Sequence, residues 1–275
     1  MDWLHGILNL IGLLFWVSWR AGTMPRPRLA NSVAGPAPRQ GPVFRHSWMY
    51  LLALVLLLLL RAVFYNQFGP GLDWIPSLNL LNEVPFFRSD WFPRALAYSI
   101  ISFARWLVGL YFCLALLSTL QPDGKESPQW RDFLSSQFSF LGSLTPWLHW
   151  GLAASLSLGV HYGESLWMMH LNLRLETDDE TLRLLALLAL DLRAAVYLLM
   201  GLIGLYLLNS YVYFGERDFW KTVHSSGKRL LSPLKALPLV IGKIDLAPII
   251  ALGLAYGLSY ILRHSQIAGW LQGAT

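Results

Sequence analysis

The stretch WMYLLALVLLLLL, Trp48 to Leu60, runs without a charged side chain until Arg61. A segment this long and this apolar belongs in lipid or in the middle of a large core. The chain has 275 residues, 55% hydrophobic and 13% charged, with a mean hydropathy of +0.45. Comparable runs recur near residues 3–19, 46–64, 96–119, 146–163, 194–212 and 246–262. Each approaches the roughly 20 residues needed to cross a hydrocarbon layer of about 30 Å. The pattern predicts an all-α polytopic membrane protein of about six transmembrane helices and excludes a soluble enzyme with a greasy core. WLHGILNLIGLLFWVSW, the first run, has no Lys or Arg before it and no small-residue cleavage pattern after it, so it reads as a retained anchor. A lone Cys113 offers neither a disulfide framework nor a cysteine-rich metal site.

Charge sets the expected orientation. Between the first two runs lie Arg20, Arg26, Arg28, Arg39 and Arg45 in a Pro-rich stretch without acidic residues, read as a disordered cytoplasmic linker. With six spans, the basic loop holding Arg217, Lys221, Lys228, Arg229, Lys235 and Lys243 falls on the same side, while Glu164, Glu176, Asp178, Asp179 and Glu180 fall outside. Both termini are therefore expected outside a multi-pass cell (inner) membrane of bacterial type. The segment from Tyr65 to Arg94, external in this scheme, carries Trp74, Phe86, Phe87, Trp91 and Phe92, which favour the headgroup level. A surface-lying segment is the plain reading and a binding surface the alternative.

Self-comparison reveals a repeat. GLAASLSLGVHYGESL from Gly151 aligns with DLAPIIALGLAYGLSY from Asp245, with seven of sixteen positions identical. Chance with a shared apolar bias gives roughly two. The matches are Leu152, Ala153, Leu158, Gly159, Tyr162, Gly163 and Ser165 with Leu246, Ala247, Leu252, Gly253, Tyr256, Gly257 and Ser259. The preceding helices align as well, LVGLYFCLALLS at Leu107 with LMGLIGLYLLNS at Leu199, and so do Trp130, Ser135 and Ser136 with Trp220, Ser225 and Ser226. The unit is helix, long loop, helix, twice in one orientation: residues 96–170 and 181–265, after an extension over 1–95. Gly159 and Gly163, like Gly253 and Gly257, have the small-xxx-small spacing that lets backbones approach in lipid, which predicts glycine-faced packing, with Gly109 and Gly201 on the facing surfaces.

The second repeat resembles the YggT (YlmG) family of small integral membrane proteins. Pro233, Lys235 and Pro238 sit where that family has Pro, a basic residue and Pro, and Gly242, Ile244, Asp245, Leu246 and Pro248 fit its G-x-I-D-L-S-P signature. Ala247 replaces the signature Ser, Ala236 a second basic residue, and Gly151 and Ala154 stand where the first repeat would need Asp and Pro, so that repeat looks like a degenerate copy. The resemblance does not cover residues 1–95. It implies links to osmotic adaptation, cell division or envelope organisation, and to cytochrome complex assembly in photosynthetic relatives, without established catalytic residues. The residues themselves make Asp245 an N-cap for the last helix, with Pro248 tolerated in its first turn.

Four ionisable residues lie near membrane depth, Arg61, Arg105, Asp191 and Arg193, and such residues are functional candidates by default. Arg105 and Arg193 can also snorkel to an interface. If TLRLLALLALDLR (Thr181 to Arg193) continues the fifth span, Asp191 lies in the bilayer and is expected to pair with Arg105 or Arg61; if it is interfacial, Asp191 is simply wet. His149, His161 and His170 with Met168 and Met169 match no ligand spacing, and HSSGK at His224 lacks the rest of a phosphate loop, so no metal and no cofactor are expected. The loop FWKTVHSSGKRLLSPLKALP suits either an anionic leaflet or a cytoplasmic partner. The expected partners are the bilayer and, as a further candidate, another membrane or cytoplasmic protein, with no nucleic acid. The expected function is a non-enzymatic scaffold or assembly factor; a small-solute or ion channel or transporter is the alternative, and a buried cluster of carboxylates or histidines would revive a membrane-embedded enzyme.

Overall fold

A computed structural model describes residues 2–23, 47–72, 90–120, 133–134, 136–138, 145–170, 180–212, 218–236, 239–241 and 244–263. Within these, the helices are α1 (Asp2–Thr23), α2 (Ser47–Phe68), α3 (Phe92–Thr119), α4 (Pro146–His170), α5 (Glu180–Tyr211), α6 (Asp218–Leu230) and α7 (Ala247–Ile261). Single 3-10 turns occupy Pro70–Leu72 and Ser232–Ala236, and the short strands β1 (Val240–Ile241) and β2 (Ile244–Asp245) pair antiparallel. The chain forms two compact units, divided inside α3 between Trp106 and Leu107.

Among the described residues, four helical segments are long and apolar enough to cross a membrane: Trp3–Gly22, Ser47–Phe68, Phe92–Thr119 and Thr181–Tyr211. The six expected spans are thus shown only as four. The two that fall short do so for opposite reasons. α4 has the length, 25 residues, but it carries His149, Ser157, His161, Glu164 and Ser165 on its buried side. α7 is apolar but only 15 residues long, about 22 Å at 1.5 Å per residue. α5 is one continuous helix of 32 residues, so the segment from Thr181 to Arg193 extends the fifth run. Residues 24–46, the basic linker, and Trp74, Phe86 and Phe87 lie outside the described residues. Trp91 and Phe92 are exposed, and the Arg94 guanidinium lies 5.1 Å from the Trp91 ring centroid.

In the first unit the helices are built inside out relative to a soluble protein. On α1, His5, Asn9 and Gly12 form the buried stripe while Trp3, Ile7, Leu10 and Leu14 are exposed. On α2, Arg61, Ala62 and Tyr65 are buried while Leu52, Leu56, Leu59, Leu60 and Val63 face out. Water would strongly disfavour so much exposed leucine, and a hydrocarbon solvent accepts it. Gly12 is needed for close approach: an added Cβ would sit 2.9 Å from Phe103 Cε2 and 3.3 Å from Leu54 Cδ1. Residues 136–138 join this unit through Arg20 Nη2, which donates to the Gln137 carbonyl at 3.0 Å.

The second unit centres on α5. α7 buries Ala247, Ala251, Ala255 and Ser259, four apart on one face. A small core of Ile203, Leu231 and Ala251 is flanked by Leu199, Tyr206, Leu230, Leu234 and Leu252. α6 turns Val223, Ser226 and Gly227 inward and leaves Lys221, His224, Lys228 and Arg229 exposed. Much of its apolar side is therefore spent on the protein itself, while Phe219 stays exposed. A Cβ at Gly227 would collide with the Tyr206 ring. We expect Gly227→Ala to cost about 1–3 kcal/mol in a detergent denaturation experiment, by pushing α6 off α5.

The start of α7 corrects the expected cap. The N-cap position is held by Leu246, which makes no side-chain cap bond, with Pro at the start of the helix. Asp245, one residue earlier, ends β2, and its Oδ1 accepts the Ala247 N–H at 2.9 Å. Leu246 N–H donates to the Leu239 carbonyl at 3.0 Å. The aspartate still satisfies a free helix donor, but from the hairpin rather than from the cap. Of the signature residues, Pro233 lies exposed in the 3-10 turn, Lys235 belongs to the same turn, and Pro238 and Gly242 lie outside the described residues.

Candidate functional site

The glycines singled out in the sequence do not pack as expected. At Gly159, Gly163, Gly201, Gly253 and Gly257 an added Cβ would meet nothing within 4 Å among the described residues. Only Gly109 has a neighbour, the Ala194 Cβ at 3.4 Å. The buried face of α4 is instead Ala153, Ser157, His161 and Ser165, and its counterpart on α7 is Ala247, Ala251, Ala255 and Ser259. In the sequence alignment of the two helices these positions correspond, and each helix buries the aligned face. The shared Gly-x-x-x-Gly spacing belongs to the other one.

Where α7 carries Ala251 and Ala255, α4 carries Ser157 and His161, and this difference creates a polar site. Ser157, His161 and Glu164 follow at i, i+4 and i+7 and thus share one face. Asp191 reaches them from α5. Ser157 Oγ donates to Asp191 Oδ2 at 2.6 Å, and His161 Nε2 lies 2.9 Å from the same oxygen. On its other side His161 Nδ1 is 3.1 Å from Glu164 Oε2. His161 is 2% exposed and Glu164 3%, while Asp191 is only partly covered. The partners of Asp191 are therefore Ser157 and His161, and the expected pairing with Arg105 or Arg61 is overturned. Histidine won because it stands on the helix face already buried against α5.

Arg61 anchors a second cluster, in the first unit. Its Nη1 donates to Asn9 Oδ1 at 2.6 Å, its Nε to the Tyr65 hydroxyl at 2.6 Å and its Nη2 to Ser102 Oγ at 3.1 Å. Asn9 Nδ2 also donates to Ser102 Oγ, at 3.0 Å, and the Tyr65 hydroxyl is bonded to His5 Nδ1. The guanidinium lies 5.3 Å from the Tyr65 ring centroid and 5.6 Å from that of Tyr98. All three hydrogen-bond partners are neutral. An arginine at the centre of a membrane helix costs about 2.5–3.5 kcal/mol on insertion scales. Three charge-assisted bonds, at about 1.5–3 kcal/mol each, more than offset that.

The remaining candidates are dispersed. Arg105 is half-buried on α3, and the Arg193 guanidinium lies 5.1 Å from the Tyr197 ring on its own helix. Among the described residues no group of three or more His, Cys, Asp or Glu has an arrangement that could hold a metal ion. His5, Asn9, Tyr65, Ser102, Ser157, His161 and Glu164 were not picked out as a site in the sequence. A usable signal existed: polar residues at helical spacing on one face of an otherwise apolar run, at 5 and 9 and again at 157, 161 and 164.

No protein-family model, curated protein or solved structure matches this chain. The fold and its two buried clusters define a class: an α-helical protein with four helices fit to cross a membrane, leucine-faced outside and polar at selected places within.

Proposed function

We propose that the chain is a YggT-like integral membrane protein with two tandem repeats, crossing the bacterial inner membrane six times with both termini outside. In this reading α4 and α7 are the two further spans. It works as a non-enzymatic scaffold or assembly factor for envelope or division-related complexes. One observation carries the scaffold reading. The motif Gly-x-x-Tyr-Gly, identical in both repeats, lies on the face that the described residues leave exposed. Gly159, Tyr162 and Gly163 are exposed on α4, as are Gly253 and Tyr256 on α7. Small residues beside a tyrosine suit close docking of a membrane helix from another protein, since lipid provides no hydrophobic drive and contact must come from backbone approach.

The test is co-purification in mild detergent with partner identification, comparing wild type with a Gly163→Leu and Gly257→Leu double variant. Because a Cβ added at either glycine would meet no described residue within 4 Å, the variant is expected to keep wild-type thermal stability while losing at least tenfold in recovered partner. Undiminished recovery contradicts the scaffold reading.

The buried clusters favour a second reading, a small-solute or ion channel or transporter active in osmotic adaptation. Intramembrane ionisable residues commonly mark ion paths, and Asp191, His161 and Glu164 would be its polar stations. Solute flux in liposomes holding only this chain supports it. For an enzyme, His161 and Glu164 are too well covered to meet a substrate directly.

A further inference from the structure

One strip of α6 is cationic and exposed, and the opposite strip is fixed to a membrane helix. Lys221, His224 and Lys228 follow at i, i+3 and i+7, so they share a face; all three are exposed, with Arg229 beside them. Val223, Ser226 and Gly227 fill the other side. Gly227 lies so close to Tyr206 of α5 that an added Cβ would collide with its ring, and the His224 ring centroid is 5.5 Å from that of Tyr206.

The electrostatics of the helix itself do not account for the strip. Lys228 and Arg229, in the last turn, suit the negative end of the helix dipole, but Lys221 stands in the first turn, at the positive end. Between Val212 and Ile244 the chain carries Arg217, Lys221, Lys228, Arg229, Lys235 and Lys243 against only Glu216 and Asp218. Positive charge is therefore in excess at this end of the second unit, and its complement is an anion from outside the chain.

Height selects the anion. Tyr206 precedes Tyr211, the last residue of α5, by little more than one turn, about 7.5 Å along the axis. α6 thus lies back against the end of a helix fit to cross the membrane. Tyr211 and Phe219, at the same end, are exposed aromatics of the kind that settle at headgroup level. An amphipathic helix that enters lipid does so by its apolar side. Much of that side is spent on α5 here, and what faces outward is mainly charge. A cationic face at headgroup height meets lipid phosphates before any soluble protein.

We propose that the strip of Lys221 and Lys228 on α6 is a docking surface for the headgroups of anionic phospholipids, which it gathers against the end of α5. The ligand chemistry is a phosphodiester without a cation of its own, as in phosphatidylglycerol. Phosphatidylcholine brings its own cation and is discriminated against. The proposal rests on α5 crossing the membrane and is independent of the scaffold reading.

A fluorophore beside the strip tests it. Ser232→Cys, exposed just after α6, is labelled in a Cys113→Ala background, and the full chain is reconstituted in nanodiscs of phosphatidylcholine. Nitroxide-bearing phosphatidylglycerol or nitroxide-bearing phosphatidylcholine is then added in increasing proportion. At about fivefold preference per cation near a charged headgroup, reduced by screening, half-maximal quenching is expected at roughly tenfold less of the phosphatidylglycerol. Lys221→Gln combined with Lys228→Gln is expected to bring the two lipids within about twofold. Equal quenching by both lipids in the unaltered strip, which would leave it to an acidic protein, overturns the proposal, as does a full preference in the double variant. If the double variant does not fold, salt replaces it. At about 1 M, where the screening length is about 3 Å, the preference is expected to vanish, and a preference that survives contradicts charge-based docking.

Discussion

Arg61→Leu is expected to destabilise the protein by about 3 kcal/mol in reversible detergent denaturation, the largest effect of any single change considered. The substitution removes three charge-assisted hydrogen bonds and two aromatic contacts. The bonds amount to about 4.5–9 kcal/mol at the usual 1.5–3 kcal/mol each. Against that stands the relief of taking a charge out of the membrane interior, about 2.5–3.5 kcal/mol. The difference favours arginine. Asn9 Oδ1 would lose its guanidinium donor in a place where Asn9 is 1% exposed. Arg61→Lys is expected to be nearly as damaging, since a single ammonium cannot reproduce a planar fork reaching Asn9, Tyr65 and Ser102 together. A leucine variant as stable as wild type would mean that the cluster does not hold α1, α2 and the first half of α3 together.

Asp191→Leu comes second, at about 2 kcal/mol. It strips the acceptor from two donors at once, Ser157 Oγ and His161 Nε2. Two unsatisfied buried donors would cost about 2–6 kcal/mol in a water-soluble protein. Interhelical hydrogen bonds in membranes average nearer 0.6 kcal/mol, because groups released in lipid find other partners, and Asp191 is only partly covered. The lower part of the range is therefore expected. Asp191→Asn keeps an acceptor oxygen and should cost less than half as much. Denaturation midpoints of the two variants, measured together, separate loss of the acceptor from loss of the charge.

What could be read in advance followed the strength of each physical signal. Apolar runs are intense in α1, α2, α3 and α5, and those four meet the requirement for crossing a membrane. Which face of a helix turns inward was much less legible. In water, apolar against polar tells the two faces apart; in lipid Leu158 and Leu254 serve on either side, so glycine spacing became the guide and pointed to the wrong face. Packing used Ala153, Ala251 and Ala255, which are small enough for close contact, and placed close-contact glycines at Gly12 and Gly227, where no repeat had marked them. The partners of Asp191 were hidden for another reason. Two opposite charges in an apolar chain suggest each other, whereas the actual pairing depends on the register of α4 along α5, which no local pattern encodes. Asp245 was closest to expectation, serving the start of α7 from one residue further back.

The central claim is that α4 and α7 both turn an Ala/Ser face inward and a Gly/Tyr face outward. Oxidative cysteine cross-linking in native membranes tests it most directly, in a Cys113→Ala background that leaves no other thiol. Ser157→Cys with Asp191→Cys is expected to form an intrachain disulfide, because the two side chains face each other across the α4–α5 contact, Ser157 Oγ lying 2.6 Å from Asp191 Oδ2. Gly159→Cys with Asp191→Cys should not form one. A strong intrachain cross-link from position 159 and none from 157 would contradict the account.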